Sequence, residues 1–123
     1  MPRDAPSSTV DTTAWEGDIA YFCARCGALV TRGHWEMSHN GSHEHVVFNP
    51  AGLMFRVLCF RDAPGAGTQG PASGLFSWFP GYVWRLALCR ACDAHLGWRY
   101  EGSAEPRIFF GLIRDALTTA KRQ

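Results

Sequence analysis

Two Cys-x-x-Cys pairs, Cys23–Cys26 and Cys89–Cys92, bracket residues 27–88 and constrain this chain more than any other feature. A CxxC turn aims two thiolates at one tetrahedral ion from a single tight knuckle, and two such knuckles close a structural zinc site. Gly27, directly after the first pair, suits a knuckle that needs positive φ. The stretch between the pairs, residues 27–88, exceeds zinc-finger spacing, so one zinc ion is expected to clamp the ends of a whole domain. A redox dithiol is the competing reading, but it requires a βαβ context and a single pair.

A chain of 123 residues is one domain's worth of polymer, able to bury a core but a thin one, which such a clamp suits. Twelve Lys and Arg against eleven Asp and Glu leave a net charge of +1, giving no electrostatic case for nucleic acid or an anionic membrane. No apolar run approaches the ~20 residues of a membrane span. Met1–Thr9 shows no apolar secretory region, so a reducing, cytoplasmic setting is expected, where cysteines serve metals rather than disulfides. The fifth cysteine, Cys59, lies mid-strand with no cationic neighbour to lower its pKa, and reads as a buried structural thiol.

Residues 1–18, rich in Pro, Ser, Thr and Asp, read as a flexible tail, and residues 19–123 as the domain. Short apolar segments divided by turn residues predict strands at 19–22, 46–48, 53–60, 75–78, 83–88, 96–100 and 108–113. In the third, Leu53, Phe55, Val57 and Cys59 share one face, opposite Met54, Arg56, Leu58 and Phe60. Residues 62–74 read as a long surface loop, and only 31–37 and 112–120 could be helical. The fold class is therefore all-β. His43-Glu44-His45 reads as a solvated loop before a strand, since a second metal would need a third ligand; His95 reads as a packing or supporting residue beside the thiols.

Five tryptophans are many for this length, and three of them are organised. If Phe76–Trp84 is a hairpin about Pro80-Gly81 with an odd loop, Phe76, Trp78, Tyr82 and Trp84 point to one side, and Trp98 and Tyr100 share a face by the same alternation. Three indoles so placed either fill a small β core or wall a pocket. Such a pocket suits a methylated or quaternary cation held by cation–π contact, or a compact ring held by shape and backbone hydrogen bonds. Trp15 and Trp35 show no comparable order.

The order Cys23-x-x-Cys26, Phe48-Asn49-Pro50, Ser77-Trp-Phe-Pro-Gly-Tyr-Val-Trp84, Cys89-x-x-Cys92, Gly97-Trp98-x-Tyr100 and Phe109-Phe-Gly-Leu112 closely resembles the thalidomide-binding, or CULT, domain of cereblon, and its bacterial single-domain members in particular. The resemblance runs from about residue 20 to residue 117. It implies a β-tent, two antiparallel sheets meeting at a steep angle and pinned by the zinc. It also implies an aromatic cage of Trp78, Trp84 and Trp98 that accepts the glutarimide of thalidomide, lenalidomide and pomalidomide, or uracil- and uridine-like rings. Backbone groups of Phe76, Ser77 and Trp78 would pair with the imide, Asn49 and Pro50 would line the rim, and Tyr100 would lie at the floor. Phe55 and Phe76 stand where the human-type domain has histidines, so an imide contact at 76 falls to the backbone. The chain lacks the family's Lon-like and adaptor-binding regions, so no ubiquitin ligase assembly is expected of it.

The reading is a zinc-stabilised, non-enzymatic domain that binds cyclic imides or similar small rings, including those at peptide ends. The alternative is a reader of methylated or quaternary ammonium groups, for which only Glu101 offers a nearby carboxylate. An enzyme would need a base or nucleophile in the pocket, such as Cys59.

Overall fold

A computed structural model describes residues 18–120 of the chain. The described residues form nine strands: β1 (Ala20–Cys23), β2 (Leu29–Arg32), β3 (Glu44–Phe48), β4 (Met54–Phe60), β5 (Ala66–Ser73), β6 (Tyr82–Cys89), β7 (His95–Gly102), β8 (Ile108–Ile113) and β9 (Leu117–Ala120). All pairings between them are antiparallel. They make a three-stranded sheet, β2-β1-β9, and a six-stranded sheet, β3-β4-β8-β7-β6-β5. The all-β class holds, and no helix among the described residues is long and apolar enough to cross a membrane.

Alternation along the strands divides the core into two clusters. Leu58 and Phe60 of β4, with Phe110 and Leu112 of β8, face one side of the large sheet. There they pack on Tyr21, Val30 and Leu117 of the small sheet, which joins the two sheets. Phe55, Val57 and Cys59 face the other side with Trp98, Tyr100 and Phe109. Each large apolar side chain so buried contributes roughly 1.5–3 kcal/mol of transfer free energy. Trp35 packs against the first cluster. Polar ties reinforce this junction: Thr31 donates its hydroxyl to the Asp62 carbonyl at 2.7 Å, and the Gly65 N–H donates to Val30 at 2.9 Å.

Four expectations are corrected. Residues 62–74 are not a loop throughout, because Ala66–Ser73 pairs along β6 as an edge strand. Pro71 and two glycines, Gly67 and Gly70, hide its propensity, but an edge strand tolerates both, and a register break between Gln69 and Ser73 absorbs the irregularity. Residues 75–78 form turns rather than a strand, with Phe76 at φ +55. The two expected helices shrink to single 3₁₀ turns, Gly33–Trp35 and Arg114–Ala116, between strands. Glu44 and His45 are half-buried in β3, where cross-strand pairing with Leu58 and Val57 outweighs their polarity. Of the expected tail, only Asp18 is described: its carboxylate accepts the His34 N–H and pairs with the His34 ring, both at 2.9 Å. The rest, Trp15 included, lies outside the described residues.

Candidate functional site

Each knuckle is built by the same local hydrogen bonds. The Gly27 N–H donates to Cys23, and the Asp93 N–H to Cys89, both at 2.8 Å. The fifth residue of each turn takes a left-handed backbone, Gly27 at φ +82 and Asp93 at φ +63, which Gly adopts freely and Asp tolerates. The first knuckle ends β1 of the small sheet and the second joins β6 to β7 of the large one. Their four sulfurs lie within 4.8 Å of one another, with Cys23 to Cys92 and Cys26 to Cys89 each 3.7 Å apart.

Those separations exclude disulfides, whose sulfurs lie ~2.05 Å apart. The two 3.7 Å separations are close to the edge of a tetrahedron around an ion at ~2.3 Å, about 3.8 Å, so the donor set fits a thiolate-bound metal. Burial opposes ionisation of Cys23, but the amides of Cys26 and Arg25 bring its thiol down to about 7. The Ala94 amide favours the Cys92 thiolate, yet burial and the three neighbouring thiols hold Cys92 up at about 12. Four thiolates this close together need a cation among them.

At the other end of the sheet, Trp84 of β6 stands opposite Tyr100 of β7, and Trp98 shares that face. Trp78 arrives from the loop at 74–81. Trp78 and Trp98 meet edge to face, centroids 4.8 Å apart at 87°, so two walls stand at right angles. Two indoles are anchored through their N–H groups: Trp78 donates to the Phe48 carbonyl at 2.9 Å and Trp84 to the Leu75 carbonyl at 2.8 Å. The result is a pocket of about 160 Å³ lined by Trp78, Trp84, Trp98, Tyr100, Asn49, Pro50, Leu75 and Phe76.

Trp78 and Trp84 thus converge, though not by the expected hairpin parity, because the 74–81 segment is not extended. Phe55 does not line the pocket but packs behind Trp78 and Trp98, at 6.0 and 5.8 Å. Ser77 also points elsewhere, its hydroxyl donating to the Phe79 carbonyl. The Asn49 carboxamide oxygen is occupied by the Ala51 and Leu53 amides, both at 2.9 Å, so it shapes the rim turn. The backbone N–H and C=O groups of Phe76 and Trp78 have no hydrogen-bond partner among the described residues.

Beneath the floor lies an aromatic stack that sequence reasoning missed. Tyr100 stacks on Phe109 and His39 on the same ring, both at 5.0 Å, with Phe79 packed edge-on. Burial, with His45 nearby, lowers the His39 pKa from its usual 6.5. Alternation within strands gives no signal for this stack, since His39 and Phe79 come from turns. Cys59 is wholly buried and its thiol is pushed up to about 12, so it is no nucleophile. His95 rests edge-on against Trp98 at 5.1 Å and takes no part in the thiol cluster.

No protein-family model matches the chain. Among curated proteins it is similar to protein cereblon of Drosophila persimilis, 40% identical over 115 residues, covering 85% of this chain and 18% of that protein. It is also similar to protein cereblon of Danio rerio, 40% identical over 72 residues (56% and 17%), and of Drosophila yakuba, 29% identical over 120 residues (89% and 20%). The chain therefore spans about a fifth of the length of the curated relatives it matches. With two antiparallel sheets, a four-cysteine cluster and this similarity in agreement, the chain belongs to the cereblon-like (CULT) domains.

Proposed function

We propose that the pocket between Trp78, Trp84 and Trp98 binds one small ring of the cyclic imide class, a glutarimide as in thalidomide or a uracil- or uridine-like ring, and that the domain binds rather than catalyses. The observation that carries this is the pairing of apolar indole walls with free backbone groups at Phe76 and Trp78. An imide presents acceptor, donor and acceptor along one edge, and backbone C=O and N–H groups complement that pattern. Its methylenes bury against the indoles. A volume of about 160 Å³ is below the ~300 Å³ at which drug-sized clefts begin, so the pocket suits one ring with the remainder of the ligand outside. Asn49, Pro50 and Phe76 would frame that exit, while Phe55 and Ser77 support the walls and the loop.

We assign zinc to the four thiols, because an all-sulfur tetrahedral donor set favours it. A closed site of this kind supplies structure, not chemistry. It would pin β1 to the β6–β7 turn, and β6 and β7 carry Trp84 and Trp98.

The cation-reader alternative is less well supported. Glu101 is held by Arg85 at 2.8 Å and Arg99 at 2.6 Å, and strand parity puts it on the face opposite the cage. Titration of glutarimide, uridine and trimethyl-lysine, followed by tryptophan fluorescence, tests the assignment. Saturable quenching by glutarimide or uridine supports it; a response to trimethyl-lysine alone overturns it.

A further inference from the structure

The large sheet has a second recess on its other face. Arg99 lies between Trp98 and Tyr100 in β7, so its side chain leaves the sheet away from the cage. There it lines a cleft of about 390 Å³ together with Arg61, just past β4, and Arg90, from the second knuckle. Asp62, Thr68 and Phe110 complete the part that matters for binding.

Three guanidiniums face one carboxylate in this cleft, although the chain as a whole carries only +1. Arg99 is paired with Glu101. Neither Arg61 nor Arg90 is paired with a carboxylate among the described residues. Asp62 is engaged locally, its carboxylate accepting the Ala63 N–H at 2.8 Å. Arg90 is also fixed in place. Its Nε donates to the Pro64 carbonyl at 2.9 Å, and its side chain lies over Gly67, where an added Cβ would touch the guanidinium at 3.7 Å. A guanidinium held this way loses little freedom when it takes a further acceptor.

We propose that this cleft is an oxyanion site for a phosphate ester of a small molecule, distinct from the cage. Guanidiniums delivered from three separate elements suit a tetrahedral dianion with several acceptor oxygens better than a single carboxylate, which one Arg fork satisfies. The cleft exceeds the size of bare phosphate, and Phe110 with Ile108 offers apolar surface to the esterified group. The site depends on local charge, so it is compatible with the chain's small net charge.

Arginine side-chain NMR, reading the Nε–H resonances of the zinc-loaded protein, tests this with inorganic phosphate and phenyl phosphate as probes. Saturable shifts at Arg61, Arg90 and Arg99 are expected, with phenyl phosphate the tighter ligand. Arg61→Gln should weaken both by about ten-fold, the effect of removing one charge-assisted hydrogen bond, and Arg61→Lys by less. Arg61 is exposed, so neither change should alter the fold or glutarimide binding. Shifts no larger than those from sodium chloride at matched ionic strength, or equal affinity in Arg61→Gln, would overturn the site.

Discussion

Trp78 and Trp98 stand edge to face, 4.8 Å apart at 87°, although one comes from an irregular loop and the other from the middle of a buried strand. The right angle gives the pocket a corner with two indole sides. It also makes the cage depend on how the 74–81 loop is held. The bond from the Trp78 indole to the Phe48 carbonyl ties that loop to the end of β3.

The two walls should respond differently to truncation. Trp78 is half-buried and Trp98 buried in the second core cluster. Trp78→Ala is expected to weaken ring binding by about 1–3 kcal/mol, as for aromatic anchors elsewhere, with a smaller loss of stability than Trp98→Ala. Trp98→Ala should lose the same affinity and also about 3 kcal/mol or more of stability, measured by denaturant unfolding.

The thiol cluster should carry one tightly bound ion per chain. Elemental analysis is expected to give one zinc, and Cys26→Ser, at an exposed corner of the cluster, should release it. Structural zinc in small domains contributes ~10–16 kcal/mol of apparent binding energy, so loss of the ion should abolish cooperative unfolding at ordinary temperatures.

Gly97 should not accept a side chain. An added Cβ would lie 2.2 Å from the Gly111 carbonyl oxygen and 2.8 Å from the Leu112 Cα, both backbone atoms of β8. Gly97→Ala must separate β7 from β8 beside Trp98, and is expected to destabilise by about 3 kcal/mol or more in chemical denaturation.

Stability should fall at both ends of the pH scale. Burial raises the Cys59 thiol from 9.0 to about 12 and raises the Tyr100 and Tyr21 phenols. The unfolded chain therefore releases these protons first, and the stability from Cys59, intact below about pH 9, is lost as pH rises towards 12. His39 has the opposite sign. Its lowered pKa means the unfolded chain protonates first, so its contribution is present above pH 6.5 and lost as pH falls below that. Melting curves of Cys59→Ala and His39→Gln should show flatter alkaline and acid limbs, respectively.

What the sequence revealed followed how local the governing physics is. A CxxC knuckle is set by four or five neighbouring residues, so the thiol cluster could be read directly from spacing. The faces of β4 followed from alternation alone, and Val57 and Cys59 indeed fall in one cluster while Leu58 and Phe60 fall in the other. β5 was hidden because Ala-Gly-Thr-Gln-Gly-Pro-Ala-Ser has little strand propensity, and only pairing with β6 makes it a strand. The hairpin reading of 76–84 failed at Phe76, whose left-handed backbone ends the alternation on which parity depends. The stack of His39 on Phe109 joins distant segments through a turn, and no periodicity marks it.

The most direct test compares glutarimide with N-methylglutarimide by calorimetry on the zinc-loaded protein. Methylation leaves the ring's shape and apolar surface nearly unchanged but removes the one donor that would pair with the free backbone groups at Phe76 and Trp78. One-to-one binding of glutarimide, with N-methylglutarimide at least about 100-fold weaker, is the expected result, because a buried acceptor left unpaired is costly to affinity. Equal affinity for the two, or no binding of either, would contradict the assignment of the cage to the imide edge.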